Sequence, residues 1–330
     1  MARVGIIANP ASGKDIRRLV AHGSVFDNSE KVNIIRRAMV SLAWFDIDEV
    51  IGMPDYYGLL ERAAEGIKSC PPTRTLDMPV IGSAEDSRRA AELMVEAGVD
   101  AIITLGGDGT NRAVAKGSGD VPLIPISTGT NNVFPRLIEG TTAGIAAGLV
   151  ATGQVDRDVA TFRAKRLEVF VDGDLRDIAL IDAVVSIEWF VASRAIWDLK
   201  KVRDVVLTQA EPGAMGLSAL GASLRPVARR DPFGLYLRVG EGPWEIMAPI
   251  GPGLLGTAQV SEPRDIPLGT PIAIEPIRGT IALDGEREIE LSEDRRAAIR
   301  ISAEGPRVVD IDQALIEAAR QGTFRKKSSE

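Results

Sequence analysis

At 330 residues, 45% hydrophobic and 26% charged, the chain has the composition of a soluble globular protein of about two domains, with only 5% aromatics, so its cores must be built from Ile, Val, Leu and Ala. A net charge of −7, from 39 basic and 46 acidic residues, argues against a broad nucleic-acid or acidic-membrane surface. The single cysteine, Cys70, excludes an internal disulfide and points to the cytoplasm, and the single histidine, His22, excludes a multi-histidine zinc site and leaves proton chemistry to carboxylates.

The opening MARVGIIANPASGKD is too briefly apolar for a signal peptide, and no stretch reaches the ~18–20 apolar residues of a membrane span. RVGIIA (3–8) reads as a buried strand and is followed by the loop NPASGKD (9–15). In that loop Pro10 and Gly13 make a turn, Ser12 offers a hydroxyl and Lys14 a positive charge. A helix is expected at about 29–43, and short strands at DEVIGM (48–53) and MPVIG (78–82). AEDSRRAAELMVEAG (84–98) has the pattern of an amphipathic helix stopped by glycine. Two further apolar strands, DAIITLGG (100–107) and VPLIPIS (121–127), run into the loops GGDGTN (106–111) and STGTNNVFP (127–135). This alternation predicts an α/β domain over 1–155, a parallel sheet with helices on both faces. Beyond it, short alternating segments closely punctuated by Gly and Pro predict a β-rich domain over 156–309. A final helix (310–322) and a charged tail complete the chain.

In open α/β sheets ligands bind beyond the carboxyl ends of the strands. Three small-residue loops stand there. Gly106 and Gly107 allow close backbone approach, and Gly109 tolerates unusual dihedrals. Thr110 or Asn111 is placed to start a helix whose free N–H groups favour phosphate. Each loop alone could be a tight connection or a helix cap; together they predict a phosphate-binding crevice. No Walker A sequence exists. GPGLLG (251–256) matches a dinucleotide fingerprint literally, but no helix pattern follows it, so β-turns are expected there. Asp108 beside polyphosphate calls for a compensating role: sharing Mg²⁺ with the phosphates, or accepting a proton from an attacking hydroxyl. Asp284 and Glu286, in TIALDGERE (280–288), flank a D-G hairpin turn, which by spacing alone reads as a solvated turn.

GGDGTN resembles the signature of the superfamily that joins NAD kinases, diacylglycerol kinases and sphingosine kinases. NPASGK (9–14) is similar to the NP-x-SG loop of its lipid-kinase branch, ISTGTNNVFP (126–135) to that branch's G-T-x-N-D-F segment, and LDGE (283–286) to its late D-G-E motif. The motifs stand in the family's order across nearly the whole chain. The pattern most resembles the NAD-kinase-like proteins of the acetoin catabolism protein X type. The resemblance implies a two-domain kinase using ATP and Mg²⁺, with its site in the cleft between the domains. It makes Asp108 the group that orients or deprotonates the acceptor, and Asp284 and Glu286 a second acid–base pair, with Asp108 and Glu286 facing the metal. Gly106, Gly107, Gly109, Thr110 and Asn111 would hold nucleotide phosphates. Asn9, Ser12, Thr128, Gly129, Thr130, Asn131 and Asn132 would shape the nucleotide pocket.

Two departures bear on the acceptor. The Asn-Glu pair of NAD kinases corresponds to Ile181 and Asp182 here, and the substrate loop to GAMGLSALG (213–221), where Ser218 is the polar survivor. Asp182 and Ser218 are therefore the candidate substrate contacts. The expected activity is phosphorylation of a small-molecule hydroxyl, on NAD or a related nucleotide first and a small polyol or ketol-derived metabolite next. A lipid kinase and a catalytically silent nucleotide sensor are the alternatives. A homo-oligomer without nucleic-acid partners is expected. The nearest membrane-docking candidate, WFVASRAIWDLKKVR (189–203), carries Trp189, Phe190, Ile196 and Trp197 at spacing typical of core.

Overall fold

The computed structural model describes residues 1–13, 26–129, 131–188 and 198–325, without the side chains of Arg287 and Glu288. Lys14, His22, Thr130, Trp189, Phe190, Ile196 and Trp197 lie outside the described residues.

The first lobe is built on β1 (Ala2–Ala8), β2 (Ile47–Gly52), β3 (Thr73–Thr75), β4 (Ala101–Gly106) and β5 (Leu123–Ser127). They lie in the order β3-β2-β1-β4-β5 and pair parallel throughout. Apolar runs such as AIITLG are buried along their whole length because helices cover both faces. On one face α1 (Asn28–Leu42), α2 (Leu59–Ala64), α5 (Gly140–Ala151) and α8 (Ile311–Gln321) enclose Ile6, Ile35, Met39, Leu42, Ile103 and Leu105. On the other, α3 (Ala84–Glu96) and α4 (Asp108–Gly117) cover Ile7, Ile51, Met94, Ile102 and Val114.

The expected strand at 78–82 is not one. Pro79 removes a ladder donor, and the Asp86 carboxylate collects the N–H groups of Ile81, Gly82 and Ser83 at 2.7–3.3 Å. The segment is thus consumed in starting α3, where Ser83 and Asp86 form a capping box, and the third strand lies earlier, at β3.

The first sheet also takes strands from far along the chain. β18 (Arg307–Val309) pairs parallel to β5, and β6 (Thr161–Arg163) antiparallel to β18. The chain therefore leaves the first lobe after β6 and returns before β18. The two crossings are bonded to each other, Ala164 N–H to the Pro306 carbonyl at 3.0 Å and Gly305 N–H to the Ala164 carbonyl at 3.1 Å. Between them lies the second lobe. One sheet runs β12 (Leu254–Val260), β11 (Phe233–Gly251), β10 (Val202–Leu207), β9 (Asp182–Ser186), β15 (Gly279–Leu283), β16 (Glu286–Leu291), with β13 (Arg264–Pro267) also on β11. It packs across Val169, Val185, Val206, Ile281 and Ile299 on a second sheet of order β14 (Pro271–Ile274), β17 (Ala297–Ser302), β7 (Arg166–Val171), β8 (Asp174–Ala179). GPGLLG is the hairpin between β11 and β12, with Gly253 at φ 72°.

Candidate functional site

The order of the first sheet reverses between β1 and β4: β2 and β3 lie to one side, β5 to the other. Ligands gather at such a switch point. There Asn9, Gly107 and Thr128 begin the loops that leave β1, β4 and β5, and side chains stitch the loops together. Asn9 Nδ2 donates to Thr110 Oγ1 at 2.9 Å, and the hydroxyls of Ser12 and Thr128 share a bond of 2.8 Å. Asn132 Nδ2 donates to Ser127 Oγ at 2.8 Å, and Ser127 Oγ to the Gly129 carbonyl at 2.9 Å. The three loops are one structure.

Packing restricts two of the three glycines. A Cβ on Gly106 would lie 2.4 Å from Cβ of Thr110, and one on Gly107 2.9 Å from Asn132 Oδ1. Gly109 has nothing closer than 3.7 Å, and that neighbour is a carboxylate oxygen of Glu286. The helix begins at Asp108, earlier than Thr110 or Asn111. Asn111 lies inside the first turn, accepting from Thr104 Oγ1 at 2.7 Å and donating to the Gly107 carbonyl at 2.9 Å. It holds the glycine turn.

Asp108 is turned toward the chain. Its oxygens accept the N–H of Val133 at 3.1 Å and of Phe134 at 2.8 Å. Asp284 is used in the same way: it accepts from Leu180 at 3.0 Å, Ile181 at 2.8 Å and Asp182 at 3.3 Å. It occupies the D-G turn at φ 50° and is 7% exposed, so it is not the solvated turn residue its spacing suggested. Burial pushes its carboxyl above the usual range, against the Arg112 guanidinium and the three N–H groups that favour the ionised form. Asp182 is tied to the same turn through its backbone carbonyl and Oδ1.

Of the acids expected in the cleft, Glu286 is the one that stands beside the glycine loop. Ser218 is fully buried and donates to the Gln209 carbonyl at 3.0 Å. Asn131 keeps a buried amide oxygen that has no partner among the described residues.

Several residues here were not anticipated. Lys31, 0% exposed, reaches under the first loop and donates to the carbonyls of Asn9 (2.9 Å) and Ser12 (2.7 Å) and to Asn28 Oδ1 (3.1 Å). Its signal was legible: it lies one turn before Ile34 and Ile35, a lysine on the apolar stripe of α1. Arg112 on α4 donates to the Leu283 carbonyl at 3.1 Å, and Gln209 and Arg229 of the second lobe donate to the Val133 carbonyl at 3.3 and 2.6 Å. These bonds lock the lobes across the 131–134 loop and carry no local sequence signal.

Among the described residues no three His, Cys, Asp or Glu side chains cluster as metal ligands, and no helix is long and apolar enough to cross a membrane.

Residues 4–155 match the family description "ATP-NAD kinase N-terminal domain", and residues 165–304 "Acetoin catabolism protein X C-terminal domain". The chain is 40% identical over 336 residues to the Acetoin catabolism protein X of Cupriavidus necator (strain ATCC 17699 / DSM 428 / KCTC 22496 / NCIMB 10442 / H16 / Stanier 337), covering 98% of this chain and 94% of that one. Among solved structures, it is similar to a diacylglycerol kinase and a putative diacylglycerol kinase from Bacillus anthracis str. Sterne. Each is 13% identical at a TM-score of 0.43, covering 93% of this chain and 96% and 97% of theirs, a likeness too low to support inference about activity.

Proposed function

The chain belongs to the acetoin catabolism protein X family, with a kinase-like fold, and on that premise we propose that it transfers a phosphoryl group from ATP to a hydroxyl of a small molecule, NAD or a related nucleotide first. The observation that carries this reading is the stitched three-loop rim at the switch point, set over the N-terminus of α4 and met from the second lobe by Glu286. Such a rim binds phosphate through backbone N–H groups and the helix dipole. Transfer needs positioning and charge stabilisation more than covalent chemistry from the protein.

Glu286 is the carboxylate placed to accept the acceptor's proton. Asp108 and Asp284 act as clamps on the 133–134 and 180–182 backbones, because their oxygens are already engaged there. The donor set fits Mg²⁺ bound chiefly by phosphates and water, with Glu286 as its protein oxygen, the arrangement this ion favours. The ion would neutralise phosphate charge. Asp182 is the side chain in the second lobe through which a ribose hydroxyl could be held.

The test is a screen of ATP consumption against NAD, NADH, diacylglycerol and four-carbon polyols, with products identified by mass spectrometry. Glu286→Gln is expected to lower turnover by about 10²–10⁴-fold while ATP binding persists. The engagement of both Asp108 and Asp284 by backbone favours a second reading, a sensor that binds nucleotide without turnover. Tight ATP binding with no phosphorylated acceptor would sink the kinase reading in its favour.

A further inference from the structure

Sheet edges expose unpaired N–H and C=O groups, and proteins guard them with charge, proline or brevity. Among the described residues nearly every edge is guarded. β3 and β6 have three residues each; β13 and β14 have four, with Pro267 and Pro271. β8 carries Asp174, Arg176 and Asp177, and β16 carries Glu286 and Glu290. β12 is the exception. It ends its sheet with seven residues, LLGTAQV, without charge or proline.

Its open side can be assigned. Pro249 on β11 faces Leu255, has no N–H, and gives its carbonyl to Gly216 N–H at 2.8 Å. That pair therefore exchanges no ladder bonds. Antiparallel alternation then directs the N–H and C=O of Leu255, Thr257 and Gln259 outward. The same three side chains share a face with Met247, which opposes Thr257, and both Leu255 and Met247 are 63% exposed.

We propose that β12 pairs antiparallel with β12 of a second copy of this chain about a twofold axis through Thr257, joining two sheets into one. In this register Thr257 faces its counterpart and Leu255 faces Gln259, so every outward group meets a partner. The strand is self-complementary. Having no charge, it offers nothing by which to select a charged foreign strand, and it is a neutral seam in a chain of net charge −7. A threonine pair at the axis is a favourable cross-strand pair, and closure sets the exposed Leu255 against Gln259 of the second copy.

The full chain is examined by sedimentation equilibrium from sub-micromolar to tens of micromolar. The expected result is a reversible dimer. Thr257→Pro should raise the dissociation constant about tenfold or more, with the unfolding midpoint unchanged when both proteins are compared as dilute monomers, because the N–H it removes faces outward. Thr257→Lys and Thr257→Glu should each be monomeric alone, from like charges meeting at the axis, and an equimolar mixture should dimerise. Position 257 is exposed, so this pair carries the test should the proline variant unfold. A wild-type monomer throughout the range, a dimer insensitive to all three substitutions, or a mixture that stays monomeric would each overturn the proposal.

Discussion

The glycines of GGDGTN separate structure from ligand contact at the level of single residues. Gly106 is glycine because Thr110 occupies the space a Cβ would take. Gly106→Ala should displace Thr110, break its bond to Asn9, and cost about 1–3 kcal/mol in denaturant unfolding. At Gly109 a Cβ has room, so Gly109→Ala should leave stability unchanged or raise it by up to about 1 kcal/mol, since alanine is the better helix former. Yet that methyl enters the gap between α4 and Glu286, where the proposed phosphates lie. ATP affinity, measured by calorimetry, should fall about tenfold, a loss of about 1.4 kcal/mol. Unchanged affinity in a folded Gly109→Ala protein would move the nucleotide elsewhere.

Among elements, the first loop and α1 depend on each other. Asp27 caps α1 by accepting the Glu30 N–H, which brings Lys31 beneath the loop, and the ammonium gathers carbonyls that would otherwise compete for solvent. Burying this cation is tolerable only with its partners in place. Lys31→Met keeps the length but strands those acceptors, and should cost about 3 kcal/mol or more. Hydrogen exchange should show the 9–13 segment losing protection before the sheet does; uniform loss would mean that Lys31 serves the whole fold.

For the whole molecule, the lobes are joined by two hydrogen-bonded crossings and by contacts on the Val133 carbonyl. Lys165, just past β6, adds another anchor, donating to the carbonyls of Ala228 at 3.0 Å and Phe233 at 2.7 Å. Burial lowers its ammonium to about 8, with Asp231 opposing the shift. A folded value below the ordinary lysine value means the unfolded chain binds more protons between the two. This group's contribution to stability therefore rises with pH from about 8 toward 10, by at most about 1.4 kcal/mol per unit. Urea unfolding from pH 7.5 upward, in about half-unit steps, should show that rise in the wild type and not in Lys165→Met. Equal slopes would place the proton elsewhere.

The alternation of apolar runs and helix patterns was enough to foretell a parallel sheet with helices on both faces, because burial on two sides demands continuously apolar strands. The loop motifs likewise foretold where small residues would gather, because the carboxyl ends of β1, β4 and β5 meet at a switch point, and there the three loops are bonded together. What Asp108 and Asp284 do was not legible: an acid in a glycine loop reads the same whether it faces a ligand or the backbone N–H groups of a segment distant in sequence. Lys31 could be noticed as a cation on an apolar stripe, but not its acceptors. Nor could the return of β18 to the first sheet be foreseen, since three residues carry no period. These were decided by tertiary structure, for a common physical reason: hydrogen-bond partners and sheet neighbours are chosen by proximity in the folded chain, which local pattern does not encode.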